Sequence, residues 1–405
     1  MSEAAKPEAP VTGLILSGGG ARAAYQVGVL SAIADLLPDA ARNPFPVIVG
    51  TSAGAINAVC LACGALHFSQ AVRRLTHIWQ GFHSDQVFRS DWPGVLSQAS
   101  RFVGHSLLGL GRQLPVALLD NSPLPGLLAR EVDFSGITAA LAQRQLRAVG
   151  VTAFGYESAQ AVTFYQSRGQ VKPWFRHRRL GVPVRLDYPH LLASSAIPLV
   201  FPPALINREY FGDGAIRQSA PISPALHMGA TRVLVIGLTP AVDELQAPAR
   251  PGQSGRPPTL AQIGGHLLNS SFIDRLESDI ELLQRINQMN DLLGPGCATP
   301  GLGLKRVEVL VISPSQPFDQ IAARHRHELP AAVRFFLRGA GGTKAGGSAV
   351  LSYLLFEAGY CSELIELGYQ DAMRQKERLR RFLLLDASQI PGTAAGEKRS
   401  SPTAV

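Results

Sequence analysis

Gly50-Thr51-Ser52-Ala53-Gly54 sets one serine between two glycines, directly after the apolar run Pro46–Val49 and before the apolar stretch Ala55–Leu66. With that spacing a chain can turn sharply from a strand into a helix. The turn lifts the Ser52 hydroxyl to the carboxyl edge of the strand, and Gly50 and Gly54 remove side chains that would clash in it. The following helix aims its N-terminus at Ser52, which favours negative charge there. The chemistry this permits is nucleophilic attack on a carbonyl. A tight glycine turn that only exposes a serine would carry the same five residues.

A serine nucleophile needs an oxyanion site and a base. Gly18-Gly19-Gly20-Ala21 follows the apolar run Thr12–Leu16 and opens a second helical stretch. Successive N–H groups in such a loop can converge on an anion, and glycine lets a substrate approach the backbone. Arg22 stands in the first helical turn, either to meet an anionic headgroup or to brace the loop. The same glycines also spell Gly18-x-Gly20-x-x-Ala23, a dinucleotide fingerprint. That reading requires an acidic residue at the end of the second strand, where Gly50-Thr51-Ser52 stands instead. No Gly-Lys-Ser/Thr follows the glycines, which disfavours a P-loop still more. For the base, Asp213 lies between Gly212 and Gly214 after the strand-like Glu209–Phe211, where α/β folds bind ligands. An ordinary Asp-Gly turn is the plain alternative. His227, His266, His325 and His327 also lie downstream, but none sits in a loop directly after a late strand.

Taken together, these residues resemble the patatin-like phospholipase family. Gly18-Gly19-Gly20-Ala21-Arg22 matches its oxyanion loop, Gly50–Gly54 its nucleophile elbow, and Asp213-Gly214-Ala215 its Asp-Gly-Gly/Ala element. The run Ala193-Ser194-Ser195-Ala196-Ile197-Pro198, then Phe201-Pro202-Pro203, resembles the stretch before that element. The four matches come in the right order within about Thr12 to Leu238. The resemblance implies a three-layer α/β/α fold with a mostly parallel sheet and a phospholipase A-type hydrolase of lipid esters. Ser52 would be the nucleophile and Asp213 its base, with the N–H groups of Gly18, Gly19, Gly20 and Ala21 holding the oxyanion. Arg22, Gly50, Gly54 and Gly214 would support them, and neither cofactor nor metal is implied. A general esterase or thioesterase, and an inactive lipid-binding relative, are the rival readings.

The elements that must position these groups read as follows. Thr12–Leu16, Pro46–Val49, Leu146–Ala153, Ala161–Gln166, Glu209–Phe211, Arg232–Gly237 and Val307–Ile312 are strand-like. Ala21–Leu37, Ala55–Leu66, Leu191–Ala196, a stretch from Thr259 to about Met289, and most of Ala331–Leu385 read as helices, the last broken at Gly339–Gly347. Thr259-Leu260-Ala261-Gln262 has the spacing of a capping box. Two strand–turn–helix units in succession signal parallel α/β structure. The expected organisation is an N-terminal extension over 1–11 and a catalytic domain over 12–240 with a helical insertion at about 73–133. A Pro/Gly-rich linker over 241–258, a helical region over 259–390 packing on the catalytic domain, and a disordered tail over 391–405 complete it.

Of the 405 residues 46% are hydrophobic and only 17% charged, so the chain has ample material for a core and is not disordered by composition. Four cysteines argue against a disulfide scaffold and for a reducing compartment. The first ten residues lack the apolar stretch of a secretory signal, and no apolar run is long enough for a transmembrane helix. The expected location is therefore cytoplasmic, with peripheral contact at the inner membrane face. The formal charge is +8 and 32 of the 38 basic residues are Arg, which suits an anionic partner. Two basic surfaces stand out. Lys172, Trp174, Phe175, Arg176, Arg178 and Arg179 interleave charge with aromatics, as at an anionic membrane, or as a loop whose aromatics plug the core. Leu364–Leu385 with Arg374–Arg381 reads as a basic helix packed on its own domain. No nucleic-acid motif is present. Cys60-Leu61-Ala62-Cys63 lies inside a helical apolar stretch and reads as small core residues, since two further zinc ligands are lacking.

Overall fold

In a computed structural model, which describes residues 10–98, 100, 117–169, 171–218, 220–240, 259–272, 274–293, 306–339 and 348–385, the apolar runs assemble one mixed sheet. Its strands are β1 (Thr12–Leu16), β2 (Val47–Thr51), β3 (Ala148–Gly155), β4 (Ala161–Ser167), β5 (Trp174–Arg176), β6 (Arg179–Pro183), β7 (Ala204–Ile206), β8 (Glu209–Asp213), β9 (Arg232–Ile236) and β10 (Glu308–Ile312). The order runs β10-β9-β1-β2-β3-β4-β6-β5, with β8 pairing β3 and β7. From β10 to β3 every pairing is parallel, and β4, β5, β7 and β8 bring the antiparallel ones.

The central strands are continuously apolar because both faces are covered. Leu14 and Leu16 of β1, Ile48 of β2 and Leu234 and Ile236 of β9 enter one core. Their chain neighbours Ile15, Val47, Val49, Val233 and Val235 enter another on the opposite face, as the two-residue period of a strand requires. The first core packs α1 (Ala24–Leu36), α2 (Ala53–Cys63), α3 (Phe68–Gln80) and the helix Ala358–Arg374. The second takes Leu276 and Leu283 of the helix Asp274–Leu293. The result is the three-layer α/β/α architecture.

The C-terminal helix Ala358–Arg374 crosses α1 backbone to backbone. A Cβ on Gly28 would stand 1.9 Å from the Ile365 carbonyl oxygen, and one on Gly368 2.2 Å from that of Tyr25. β10, from beyond the linker region, forms the sheet edge beside β9.

Several boundaries differ from the sequence expectation. The first helix begins with a 3-10 turn, Gly20–Ala23, before α1. The expected helix from Thr259 is two helices, Leu260–Phe272 and Asp274–Leu293, and Leu364–Leu385 is divided between Ala358–Arg374 and Lys376–Phe382. The capping box is formed: the Thr259 N–H donates to Gln262 Oε1 at 2.8 Å and the Gln262 N–H to Thr259 Oγ1 at 3.2 Å. Residues 1–9, the linker over 241–258, the tail over 391–405 and part of the 73–133 insertion lie outside the described residues.

One expectation is corrected outright. Trp174 does not face outward. It is 7% exposed and stacks between Tyr165 at 5.0 Å and His227 at 4.8 Å. Strand alternation in β5 explains this: Trp174 turns inward, so Phe175 turns outward and is 67% exposed. Lys172 and Arg178 are exposed beside it, and the exposed Arg176 shares the face of Trp174. Cys60 and Cys63 lie on α2 in apolar surroundings. Burial pushes the Cys60 thiol up to about 12 and raises Cys63 as well, so neither is a ready thiolate.

Candidate active site

β2 delivers Ser52 to its carboxyl end and α2 leaves from the next residue. Ser52 has φ 57° and ψ −133°, a left-handed φ that costs a non-glycine residue about 1–3 kcal/mol and is held only by its surroundings. Those surroundings are close-packed backbone. A Cβ on Gly50 would stand 2.3 Å from the Gly54 carbonyl oxygen, and one on Gly54 2.3 Å from that of Leu16. The end of β1 thus rests on the first turn of α2. The Ser52 N–H donates to Ser194 Oγ at 2.8 Å, and Ser194 Oγ donates to the Thr152 carbonyl at 2.6 Å. Ser194 thereby ties the elbow to β3.

Asp213 ends β8, opposite Ala153 of β3. It is 1% exposed. Oδ1 accepts from the Ala215 N–H at 3.0 Å, and Oδ2 has no hydrogen-bond partner. Burial pushes its pKa from 3.8 up to about 7, while the Ser52 hydroxyl and the Ala215 N–H pull the other way. The adjacent glycine is required by space: a Cβ on Gly214 would lie 2.3 Å from the Thr152 carbonyl oxygen. The carboxyl group is therefore buried, with one oxygen held by a backbone N–H and the other left open.

The glycine loop is braced from two sides. Gln26 of α1 donates to the Ser17 carbonyl at 2.8 Å. Because the peptide is planar and trans, fixing that carbonyl also fixes the direction of the Gly18 N–H. Asn57 of α2 donates to Gln26 Oε1 at 3.0 Å and to the Ala23 carbonyl at 3.2 Å, and accepts from Trp79 Nε1 at 2.9 Å. On the other side stand the C-terminal helices. Arg22 is 5% exposed, so it braces the loop and meets no headgroup in this conformation. Its Nε donates to Ser352 Oγ at 2.8 Å, Nη1 to Asn269 Oδ1 at 3.2 Å and Nη2 to the Ala349 carbonyl at 3.4 Å. The guanidinium also lies 3.9 Å from the centre of the Tyr353 ring. Gly20, with φ 56°, leaves no room for a side chain: a Cβ would sit 2.2 Å from the Tyr353 carbonyl oxygen.

Ser52 and Gly20 line one apolar cavity. Its walls include Ile56, Trp79, Leu128, Ile197, Phe201 and Phe356, so an acyl chain fits its chemistry. None of the histidines among the described residues lines it. His227 stacks on Trp174, His266 is exposed on the helix Leu260–Phe272, and His327 binds the Arg324 carbonyl. His325 sits between Glu328 and Glu363, at 2.6 Å from each. No group of three or more metal-ligating side chains occurs among the described residues.

The structure thus places Ser52, Gly20 and the cavity together, with Asp213 buried beside the Ser52 hydroxyl and the Arg22 head group turned away. Sequence reasoning missed Gln26, Asn57 and Trp79 as a unit, and the separate role of Ser194. A signal was available for two of them: Gln26 and Asn57 are amides set inside otherwise apolar helices, and both are fully buried.

A family model described as patatin-like phospholipase matches residues 14–226, a span that holds Gly18–Ala21, Ser52 and Asp213. No curated protein sequence matches the chain. Among solved structures, the crystal structure of VipD from Legionella pneumophila is similar at 11% identity, covering 91% of this chain and 67% of that one with a TM-score of 0.35.

Proposed function

The chain belongs to the patatin-like phospholipase family, and from that premise we propose that it hydrolyses carboxylic esters of phospholipids, with Ser52 as nucleophile and Asp213 as base. The observation that carries this reading is the pairing of a strained, cavity-lining Ser52 with a buried carboxyl group whose pKa burial has raised to about 7. Such a carboxylate accepts a proton at neutral pH far better than an exposed aspartate.

The acyl chain occupies the apolar cavity and brings the ester carbonyl to Ser52. Asp213 takes the Ser52 proton as Oγ bonds to the carbonyl carbon. The tetrahedral oxyanion lies against N–H groups of Gly18, Gly19, Gly20 and Ala21. Collapse breaks the carbon–oxygen bond to the glycerol, and the proton on Asp213 passes to the leaving oxygen. Water, deprotonated by Asp213, then cleaves the acyl-enzyme by the same path.

The lipid surface would be met through the β5–β6 hairpin. Phe175 enters the interface and the exposed Lys172 and Arg178, flanking β5, face anionic headgroups, while Arg176 and Arg179 lie on the other face of the hairpin near His227. Arg176 and Arg179 are directly opposed across the two strands, on the same face as Trp174. The free thiols Cys60, Cys63 and Cys361 suit a cytoplasmic site at the inner membrane face. Among the described residues no single helix is long and apolar enough to cross a membrane.

The test is labelling with a fluorophosphonate probe together with mass spectrometry of products from mixed phospholipids. Labelling of the folded protein that disappears in Ser52→Ala, with release of free fatty acid and lysolipid, is the expected result. Folded protein that takes no label is a lipid-binding relative instead. Activity on monomeric esters that gains nothing from micelles marks a general esterase.

A further inference from the structure

Two adjacent serines, Ser194 and Ser195, end the helix Tyr188–Ser194 and differ completely in their bonding. Ser194 uses its hydroxyl twice, accepting from the Ser52 N–H and donating to the Thr152 carbonyl. Ser195 Oγ has no partner at all, although the residue is only 8% exposed. Its backbone is tied, with the N–H donating to the Leu191 carbonyl at 3.0 Å. Only the hydroxyl is left over.

That hydroxyl is placed by both halves of the candidate dyad. Ser194 is bonded to Ser52, and the Ala196 carbonyl accepts from the Asp213 N–H at 2.8 Å. Ser195 is the residue between these two ties, and it lines the same cavity as Ser52. The cavity is otherwise mostly apolar there, with Ile197 and Phe201 continuing the wall. A buried hydroxyl without a partner destabilises a fold, and alanine would occupy the place without that cost.

The two oxygens of the reacting ester already have partners in the mechanism above: the glycine loop takes the carbonyl oxygen and Asp213 protonates the leaving oxygen. A further donor beside the same centre calls for a further acceptor on the substrate. Glycerolipids carry one on the neighbouring glycerol carbon, and simple alkyl or aryl esters do not. We propose that Ser195 is a specificity-determining residue whose hydroxyl donates to that second oxygen function, selecting glycerol diesters over simple monoesters. This assignment rests on the hydrolase reading.

The test compares full-length wild type with Ser195→Ala and Ser195→Thr on two monomeric substrates. One is a short-chain diacylglycerophosphocholine below its micelle concentration, the other p-nitrophenyl butyrate. Ser195→Ala is expected to lower kcat/KM on the diester about tenfold, as loss of one hydrogen bond does, mainly through KM. It should leave the monoester rate and fluorophosphonate labelling of Ser52 unchanged. Its melting temperature should equal or exceed that of wild type, a combination that a merely structural role would not give, and Ser195→Thr should restore the diester rate. Equal losses on both substrates, or no loss on either, overturn the assignment while the labelling still upholds Ser52. A folded wild type whose Ser52 takes no label overturns the hydrolase reading and this assignment with it.

Discussion

The nucleophile elbow and the glycine loop lie side by side at the ends of β2 and β1, yet they are held in opposite ways. The elbow is enforced mainly by close contact of backbone with backbone. Gly50 packs on the first turn of α2 and Gly54 on the backbone of Leu16 and Ser17, and the Ser194 hydroxyl completes it. The loop has little of its own to fix it. Gln26 and Asn57 hold it from behind, and Arg22 anchors it to Ser352, 330 residues further on. A half of the site built from backbone sterics is rigid by construction. A half built from distant hydrogen bonds depends on other elements being docked.

The sharpest way to break this contrast is to add a methyl group at the elbow. Gly54→Ala places a Cβ 2.3 Å from the Leu16 carbonyl oxygen, with Ser17 as close behind, and neither backbone can retreat. A stability loss above about 4 kcal/mol, or no folded protein, is expected in denaturant unfolding. A normally stable Gly54→Ala protein would show that the elbow yields.

Next in size is Arg22→Ala, which removes three hydrogen bonds and the Tyr353 stacking but touches no cavity wall. We expect kcat to fall about 100-fold, the scale seen when an oxyanion donor is lost, with the protein still folded by circular dichroism. Arg22→Lys should fail to rescue it, because a point charge does not replace the fork. Loss of stability with unchanged kcat would mean that the C-terminal helices do not set the loop.

The pH dependence separates Asp213 from both. Its pKa is raised to about 7, so kcat/KM on a neutral ester should rise as pH climbs through about 7. The stability effect has the opposite sign. The native state holds this proton more tightly than the unfolded chain, so the contribution is complete below about 3.8 and is lost as pH rises through about 7. Asp213→Asn should therefore gain in melting temperature relative to wild type between pH 5 and pH 8. A constant difference over that range would place the carboxyl group in a wetter setting.

The smallest expected change is Trp79→Phe, which keeps an aromatic wall but deletes the donor to Asn57. A few-fold drop in kcat is expected, equivalent to about 1 kcal/mol, in steady-state kinetics on a long-chain ester. An effect confined to KM would make Trp79 a wall residue only.

The same contrast explains what was legible in the sequence. The elbow, the Asp213 turn and the sheet strands depend on short-range patterns, and those patterns name Ser52, Asp213 and the glycines directly. The resemblance to the family adds their roles. The bracing of the loop joins residues from 31 to 330 positions apart, and no local pattern pairs Arg22 with Ser352 or Gln26 with Asn57. The basic hairpin shows a different limit. Composition puts Trp174 and Phe175 together, and only strand alternation, once β5 pairs with β6, sends one inward and the other out.

The crossing of α1 with the helix Ala358–Arg374 bears on the order in which the protein is made. Ser52 and Asp213 leave the ribosome long before Ser352 and Gly368. At about 5–20 residues per second, the roughly 330 residues between Arg22 and its hydroxyl partner take roughly 15–65 s to synthesise. For the last 139 of those residues, from Asp213 to Ser352, or roughly 7–28 s, a nascent chain carries both members of the candidate dyad while its glycine loop lacks the C-terminal brace.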